Sequence, residues 1–166
     1  MNILLLCDKE WVCRNVLRCI DGAGRRIFVM ASWPASPIRF SRRVKRFAAQ
    51  KFPLRGAQFD QARTSFLNFV AQNKIDLIIP SDLETIHFLN KVKNDLGSVR
   101  VFPIPPTTLI EELHDKWNFH GFLTQNGLPT PPTVLLNTVS DTASIPFSFP
   151  VIVKPLAEAA SRGVAV

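Results

Sequence analysis

The stretch IDLIIP at Ile75–Pro80 and the segment after it, Leu83–Asp95, decide the fold class. An apolar run of strand length passes directly into a helical pattern. The beginning of the chain repeats this order, because NILLLC at Asn2–Cys7 precedes an amphipathic segment at Lys9–Ile20. Strands that alternate with helices predict an α/β fold with a mostly parallel sheet.

Further elements of the same kind fill the first hundred residues. We predict strands at Arg26–Ala31 and Arg100–Ile104, a short basic helix at Phe40–Ala49 and an amphipathic helix at Phe59–Gln72. The inward-facing residues should be Trp11, Val12, Val16, Leu17, Ile20, Ala62, Phe66, Phe69 and Val70. Together these elements predict one doubly wound subdomain of ordinary domain size.

The composition changes at PIPPTT, where prolines stop the sheet and permit a domain boundary. We therefore expect one domain at 1–105 and the start of a second, α+β domain at 106–166. The second part should contain one or two helices at Thr108–Gln125, then strands at Thr133–Leu136, Val151–Lys154 and from Gly163, and a short turn or helix at Ser140–Ile145. These elements are too few for a domain, so we expect the chain to stop inside a larger one.

Bulk properties exclude a membrane protein and favour the cytoplasm. The chain of 166 residues has no apolar run near the roughly 18 residues that a membrane span needs. Its N-terminus lacks a basic lead and meets Asp8, unlike a signal peptide. The three cysteines, Cys7, Cys13 and Cys19, lack CxxC spacing, so we expect them to be reduced and buried.

Positive charge is concentrated in one segment. Nine Lys or Arg and no acidic residue lie between Gly22 and Phe59, against a net charge of +7 for the chain. Such a segment can be a solvated surface, a site for anionic substrates or a nucleic-acid patch. The first interpretation carries the most weight and the last the least.

Two common nucleotide motifs are absent from the sequence. The chain has no GxxxxGK[ST] loop, and the turn after the first strand reads CDKEW where a dinucleotide fold would have GxGxxG. The side chains of this turn are too bulky for the close backbone approach that a pyrophosphate needs. A classical dinucleotide-dependent dehydrogenase is therefore excluded despite the matching architecture.

A different set of motifs follows in order along the second half. Asp115-Lys116 is followed by Gly127–Pro131 (GLPTP), by Phe149–Pro155 (FPVIVKP) and by Ser161–Val164 (SRGV). This ordered set resembles the nucleotide-binding entry of the ATP-grasp superfamily, in particular carboxylate–amine ligases of the carbamoyl-phosphate-synthase-like kind. The residues before it resemble the pre-ATP-grasp domain of the same superfamily, so the resemblance spans most of the chain.

Lys154 is also a candidate anion-binding residue on physical grounds alone. A lysine that closes an apolar strand before a proline holds an ammonium beside the sheet, and an anion would stabilise it there. The small residues of the following loop let backbone N–H groups approach phosphate oxygens. The resemblance implies that Lys116 and Lys154 contact ATP phosphates and that the loop Glu158–Gly163 closes over them. The nucleotide-binding residues expected on this basis are Lys116, Lys154, Ser161, Arg162 and Gly163.

One part of this loop departs from the superfamily pattern. Ala159 and Ala160 stand where relatives often carry glycines. A stiffer lid, weaker phosphate wrapping and a divergent subgroup are all compatible with this change.

The resemblance implies the N-terminal part of an ATP-dependent ligase that activates a carboxylate as an acyl phosphate and joins it to an amine. The expected cofactors are ATP and Mg²⁺, with metal ligands and catalytic residues beyond Val166, so these residues alone should be inactive. The expected partners are small carboxylate and amine substrates and a second copy of the chain, with no membrane and no nucleic acid. The alternative is a non-catalytic binding module that uses the basic segment 39–55 for an anionic partner.

Two interpretations stay open for Asp82 and Glu84, which follow the strand IDLIIP. They can recognise substrate at the edge where open α/β sheets bind ligands. Equally, Asp82 or Ser81 can cap the next helix, with Glu84 stabilised by the helix dipole. The aromatic residues Trp117, Phe119 and Phe122 should form core rather than stack on a base.

Overall fold

The computed structural model describes residues 1–8, 10–20, 24–31, 37–157 and 163–165. The chain divides into two compact units, Met1–Ile104 (unit 1) and Pro105–Val166 (unit 2). Lys9, where we predicted the first helix to begin, lies outside the described residues, as does the side chain of Trp11.

Unit 1 is built on a five-stranded parallel sheet with the strand order β3-β2-β1-β4-β5. The predicted α/β class with a mostly parallel sheet is confirmed. The strands are β1 Asn2–Cys7, β2 Arg26–Ala31, β3 Val44–Ala49, β4 Leu77–Pro80 and β5 Arg100–Val101. The helices are α1 Glu10–Ile20, α2 Phe59–Gln72 and α3 Leu83–Val92, with short 3-10 turns at Pro37–Phe40, Gly56–Gln58 and Lys93–Asp95.

The sheet is covered on both faces because side chains alternate along each strand. Leu4 and Leu6 of β1 point into one core cluster, which also holds the buried faces of α2 and α3. Ile3 and Leu5 point into a second cluster, which includes residues of α1. The inward residues predicted for α2 are confirmed, since Ala62, Phe66, Phe69 and Val70 are buried. Helices on opposite faces make the sheet doubly wound.

The predicted basic helix at Phe40–Ala49 is wrong. Residues Pro37–Phe40 form a 3-10 turn, and Val44–Ala49 form β3 at one edge of the sheet. Pairing with β2 overrides the local helical pattern, and Val44 and Phe47 pack against the cluster on the α1 side. Lys45 and Arg46 remain exposed on this edge, where charged side chains discourage pairing with another chain.

Unit 2 contains regular structure mainly in its first third. The helices are α4 Thr107–His114 and α5 Lys116–Gln125, and a 3-10 helix follows at Val139–Ser144. The Asp115 carboxylate begins α5 by accepting hydrogen bonds from the N–H groups of Trp117 and Asn118, both at 2.9 Å. Gly127, with φ of +64°, lies just after α5 and allows the chain to turn away.

The strands predicted in unit 2 are largely wrong. Thr133–Leu136 has no regular structure, and Val151–Lys154 contributes only an isolated antiparallel bridge between Val153 and Ala165. No described residue of unit 2 is buried, and Trp117, Phe119 and Phe122 are partly exposed, so the predicted aromatic core is not formed. Strands need a packed face to be stable, and the described elements of unit 2 supply none.

The cysteine prediction is wrong in part, because Cys7 and Cys13 are buried as predicted but are not reduced. Cys7 and Cys13 are joined in a disulfide, with their Cα atoms 6.0 Å apart, and Cys19 is free and exposed. The end of β1 and the first turns of α1 bring the two residues together, although the sequence has no CxxC spacing. In the part of the chain that the structure describes, no helix is long and apolar enough to cross a bilayer.

Candidate functional site

A cleft of about 550 Å³ opens in unit 1 at the carboxyl edge of the sheet. This is the edge where open α/β folds bind ligands, and the strand order reverses there between β1 and β4. The lining residues follow β1, β3 and β4 directly, because each chain segment leaves the sheet at this edge. They are Asp8, Gln50, Lys51, Phe52, Pro53, Leu54, Arg55 and Glu84.

Asp82 has a structural role at this edge. Its Oδ1 accepts a hydrogen bond from the Thr85 N–H at 3.0 Å, and the Thr85 side chain returns the contact, which forms a capping box at the start of α3. Its Oδ2 accepts from the Asp8 N–H at 2.6 Å and from the Ser81 hydroxyl at 3.1 Å. One carboxylate therefore begins α3 and fixes the chain as it leaves β1.

Glu84 lies in the first turn of α3, as one of its two interpretations predicted, and it also lines the cleft. Its Oε1 lies 3.2 Å from a guanidinium nitrogen of Arg55, whose side chain is 76% exposed. A pair this exposed contributes little to stability, so Arg55 can exchange Glu84 for another anion at low cost. Of the two residues predicted to recognise substrate, Glu84 is the one that lines the cleft.

Gln50 is the most unusual residue of the cleft. It is 7% exposed, and within the described residues neither its Oε1 nor its Nε2 has a hydrogen-bond partner. Its backbone N–H donates to the carbonyl oxygen of Ala31 at 2.6 Å, which holds the residue just after β3. Buried amides are almost always paired, so Gln50 is an exception, and both of its polar atoms are shielded from solvent.

Sequence reasoning missed Asp8 and Gln50, and it considered Lys51 and Arg55 only as part of the basic segment 39–55. The error at Phe40–Ala49 hid the position of the residues after it, because a residue after a helix end has no reason to lie at the ligand edge of a sheet. A strand assignment for VKRFAA would have placed Gln50 and Lys51 beside Asp8 and Glu84.

In unit 2, Lys116 and the segment after Lys154 are brought together. The Lys116 ammonium donates hydrogen bonds to the carbonyl oxygens of Pro155 at 2.7 Å and Leu156 at 3.1 Å. The Lys116 backbone N–H also donates to Leu156, at 2.9 Å. Lys154 itself is exposed. The two predicted phosphate-binding lysines therefore lie on segments that are bonded to each other, although Lys116 uses its charge on backbone carbonyls.

Gly163 lies close to Pro155 in the same part of unit 2. Its φ is +66°, and a Cβ built there would lie 2.8 Å from Cγ of Pro155. The neighbouring bridge joins Val153 and Ala165 through two backbone hydrogen bonds of 2.9 and 3.0 Å. Only glycine satisfies both the backbone angle and the close approach. Ser161 and Arg162, and the alanines before them, lie outside the described residues.

Within the described part of the chain, no group of three or more His, Cys, Asp or Glu is placed to hold a metal ion. These residues therefore do not fit a Mg²⁺ site.

Comparison with known proteins supports the fold. No protein-family model matches the sequence, and no curated protein matches it. Among solved structures, the biotin carboxylase domain of 2-oxoglutarate carboxylase from Hydrogenobacter thermophilus has a TM-score of 0.66 at 18% identity, covering 99% of this chain and 36% of that one. N5-carboxyaminoimidazole synthetase from Staphylococcus aureus has a TM-score of 0.63 at 15% identity, covering 98% and 40%.

L-amino acid ligase from Bacillus licheniformis has a TM-score of 0.58 at 20% identity, covering 95% of this chain and 37% of that one. The chain thus spans well under half the length of these enzymes. At such identities the likeness shows the fold and does not transfer an activity. The chain shares the fold of the matching part of these enzymes, in agreement with the fold that the resemblance stated above implied.

Proposed function

We propose that the chain is the N-terminal part of an ATP-dependent ligase that activates a carboxylate as an acyl phosphate, which an amine then attacks with release of phosphate. The observation that carries this proposal is the bonding of Lys116 to the segment after Lys154, in a chain with the fold described above. One structural neighbour is described in complex with MgADP and bicarbonate, and another is an L-amino acid ligase.

The two lysines have different roles in this proposal. Lys154 is an exposed cation and is the one available to bind nucleotide phosphate. Lys116 holds the backbone at Pro155 and Leu156, which positions the segment that carries Lys154. Gly163 allows the backbone to approach Pro155 closely. Ser161 and Arg162 are proposed to complete the phosphate contacts from that loop.

The remaining parts of the proposal concern the whole protein. Mg²⁺ would neutralise phosphate charge when bound, and we assign its binding to none of the described residues. The substrates are small carboxylates and amines, with a second copy of the chain as a partner. A cytoplasmic location is part of the proposal, although a disulfide such as Cys7–Cys13 is uncommon there.

Thermal unfolding with ATP and Mg²⁺ tests the nucleotide site. A ligand that binds only the folded state raises the melting temperature, and the rise grows with the logarithm of the ligand concentration once that exceeds Kd. The 166-residue chain should show this rise, and Lys154→Ala should abolish it. Lys45→Ala, which removes an exposed lysine from the edge strand β3 of unit 1, is the matched control and should leave the rise intact. An equal rise in the Lys154→Ala variant would place the phosphate site elsewhere.

The second candidate is a binding module that uses the basic segment 39–55. The exposed side chains of Lys45 and Arg46 favour this candidate. Their position on an edge strand also gives them a second role, since charges there discourage pairing with another chain. Titration with single-stranded RNA or an acidic peptide separates the two functions. Salt-dependent binding together with no response to ATP would replace the ligase proposal with this one.

A further inference from the structure

Positive charge collects at the edge of the sheet opposite the cleft. Because the five strands are parallel, they all begin at this edge, which we call the amino edge. Exposed Arg and Lys side chains lie at or just before the starts of four strands, and most of them are outside the basic segment 39–55. They are Arg25, Arg26, Arg42, Arg43, Lys74 and Arg100. Asp76 brings one negative charge to the same edge, where its carboxylate accepts a hydrogen bond from the Asn2 N–H.

Hydrogen bonds hold three of these cations around the first two residues of the chain. The Arg26 N–H donates to the carbonyl oxygen of Met1 at 2.9 Å, and the Asn2 side chain donates to the carbonyl oxygen of Lys74 at 2.9 Å. The Arg100 guanidinium donates to the sulfur of Met1 at 3.5 Å. The partners in these bonds are uncharged, so the bonds neutralise no positive charge. The exposed side chains of Arg26, Lys74 and Arg100 therefore give this edge a positive potential.

A cavity of about 400 Å³ opens beside Lys74. Its lining comes from the last part of α2 and from the turns before β4 and β5, and most of it is apolar, including Val70, Leu96 and Val99. Asp95 also lines the cavity, but its charge is paired with Arg63. An apolar side chain that enters the cavity leaves water and gains free energy in proportion to the area buried.

The charge and the cavity together limit the class of partner. A nucleic acid supplies phosphates for the cations but no apolar side chain for the cavity. An anionic bilayer presents a plane of headgroups and keeps its acyl chains beneath them. A peptide presents carboxylates and an apolar side chain next to each other. At the usual strand spacing the edge measures about 19 Å from β3 to β5, which about six residues of an extended peptide span.

We propose that the amino edge of unit 1 binds an acidic peptide segment of a partner protein, with carboxylates toward Arg26, Lys74 and Arg100 and one apolar side chain in the cavity. This surface lies wholly within unit 1, at the edge opposite the cleft. The interaction goes beyond the proposed ligase function and does not depend on it.

Fluorescence anisotropy with the 166-residue chain tests the class of partner. The probe is a labelled peptide of glutamates around one leucine, and the comparison peptide carries serine in place of the leucine. The leucine peptide should bind saturably and about fivefold or more tightly than the serine peptide, because the cavity buries the leucine side chain. Equal affinities would overturn the proposal. Tighter binding of oligouridine, or binding to phosphatidylserine vesicles without peptide binding, would overturn it in favour of a nucleic-acid or a membrane surface.

Arg26→Gln/Arg100→Gln tests the cations of the edge. This variant removes two exposed charges that lie outside the basic segment, so its affinity for the leucine peptide should fall about threefold or more at an unchanged melting temperature. Lys51→Gln/Arg55→Gln is the matched control, because it removes two exposed charges of the basic segment at the opposite edge. The control should bind the peptide as the unaltered chain does. An equal loss in both variants would show that affinity follows total charge, which would overturn the proposal.

Ala71→Leu tests the cavity without changing any charge. Ala71 is an exposed residue of α2 that lines the cavity, so a larger side chain there should abolish the preference for the leucine peptide over the serine peptide. Gln72→Leu, at the next position of α2 and outside the cavity lining, is the control and should keep the preference. A preference that survives in Ala71→Leu would show that the leucine binds elsewhere and would overturn the proposal.

Discussion

The ammonium of Lys116 donates a hydrogen bond to the carbonyl oxygen of Pro155 at 2.7 Å, across a sequence separation of 39 residues. A second bond reaches Leu156. Lys116→Met should therefore loosen the segment around Lys154, because a hydrogen bond from a charged donor is worth about 1.5–3 kcal/mol. Amide hydrogen exchange at Val153, Lys154 and Leu156 should accelerate in this variant. The same substitution at exposed Lys45 should have no effect there, and unchanged exchange in Lys116→Met would show that the lysine does not hold the segment.

Gly163→Ala should disrupt the Val153–Ala165 bridge. The φ of +66° disfavours any Cβ, and the Cβ would also meet Pro155 at 2.8 Å. We expect a local cost of about 1–2 kcal/mol from the backbone angle alone, seen as faster amide exchange at the two bridge residues. Gly121→Ala is the control with the opposite sign, because that helical glycine has open space around it and alanine favours helices. Normal exchange at the bridge in Gly163→Ala would contradict the assigned geometry.

The Arg63–Asp95 pair should make stability depend on pH. Two hydrogen bonds of 2.8 and 2.7 Å join the guanidinium to the carboxylate, and they hold the pKa of Asp95 below its ordinary value of 3.8. Because folding lowers the pKa of Asp95, the pair contributes its full stability at pH values above the ordinary pKa. That contribution is lost as the pH falls through the lowered pKa of the folded state. Asp95→Asn should reduce the melting temperature at neutral pH and have little effect in strong acid. An equal reduction at both pH values would show that the charge is not responsible.

The charges on β3 should keep the edge of the sheet from pairing with another copy. Lys45→Val/Arg46→Val turns the strand into a continuous apolar segment, so light scattering should show concentration-dependent association. Lys45→Glu/Arg46→Glu restores charge with the opposite sign and should stay dispersed. Because Arg46 also bonds Asn73 and lies over the ring of Phe69, association of both variants would indicate loss of those contacts and not of edge protection.

Thiol counting distinguishes the disulfide from three reduced cysteines. Cys7 and Cys13 are bridged and Cys19 is free, so one thiol per chain should react in protein that is unfolded without a reductant. After reduction, three thiols should react. Reduction should also lower the melting temperature, because closing a loop this short is worth about 2 kcal/mol in the chain-entropy treatment. Cys19→Ser should remove the reactive thiol of the unreduced protein. Three reactive thiols before reduction would show that all three cysteines are reduced, as predicted from the sequence.

Unit 1 was largely predictable because its local and long-range preferences agree. In NILLLC, every strand residue after Asn2 is buried, and the period of α2 matches its buried face. The segment VKRFAA was mispredicted, since its basic residues suit a helix surface as well as an edge strand, and only pairing with β2 decides between them. The helix cap was one of the two roles predicted for Asp82, and the structure confirms it. A cap could be predicted because it depends on residues nearby in sequence.

The candidate sites were less predictable because they depend on distant residues. Lys116 could be recognised from its motif, but its bonds to Pro155 and Leu156 could not be read from either segment alone. Gln50 carries no motif at all. It is distinguished only by being buried without a partner near Asp8 and Glu84, which come from two other segments.

The described part of unit 2 has no buried residue, and this separates the two units thermodynamically. The heat capacity of unfolding arises mainly from apolar surface that folding removes from water. Nearly all of that surface lies in the two core clusters of unit 1. Most of the heat capacity of unfolding in the described residues therefore comes from unit 1, while the order of the segment around Lys154 depends on individual hydrogen bonds.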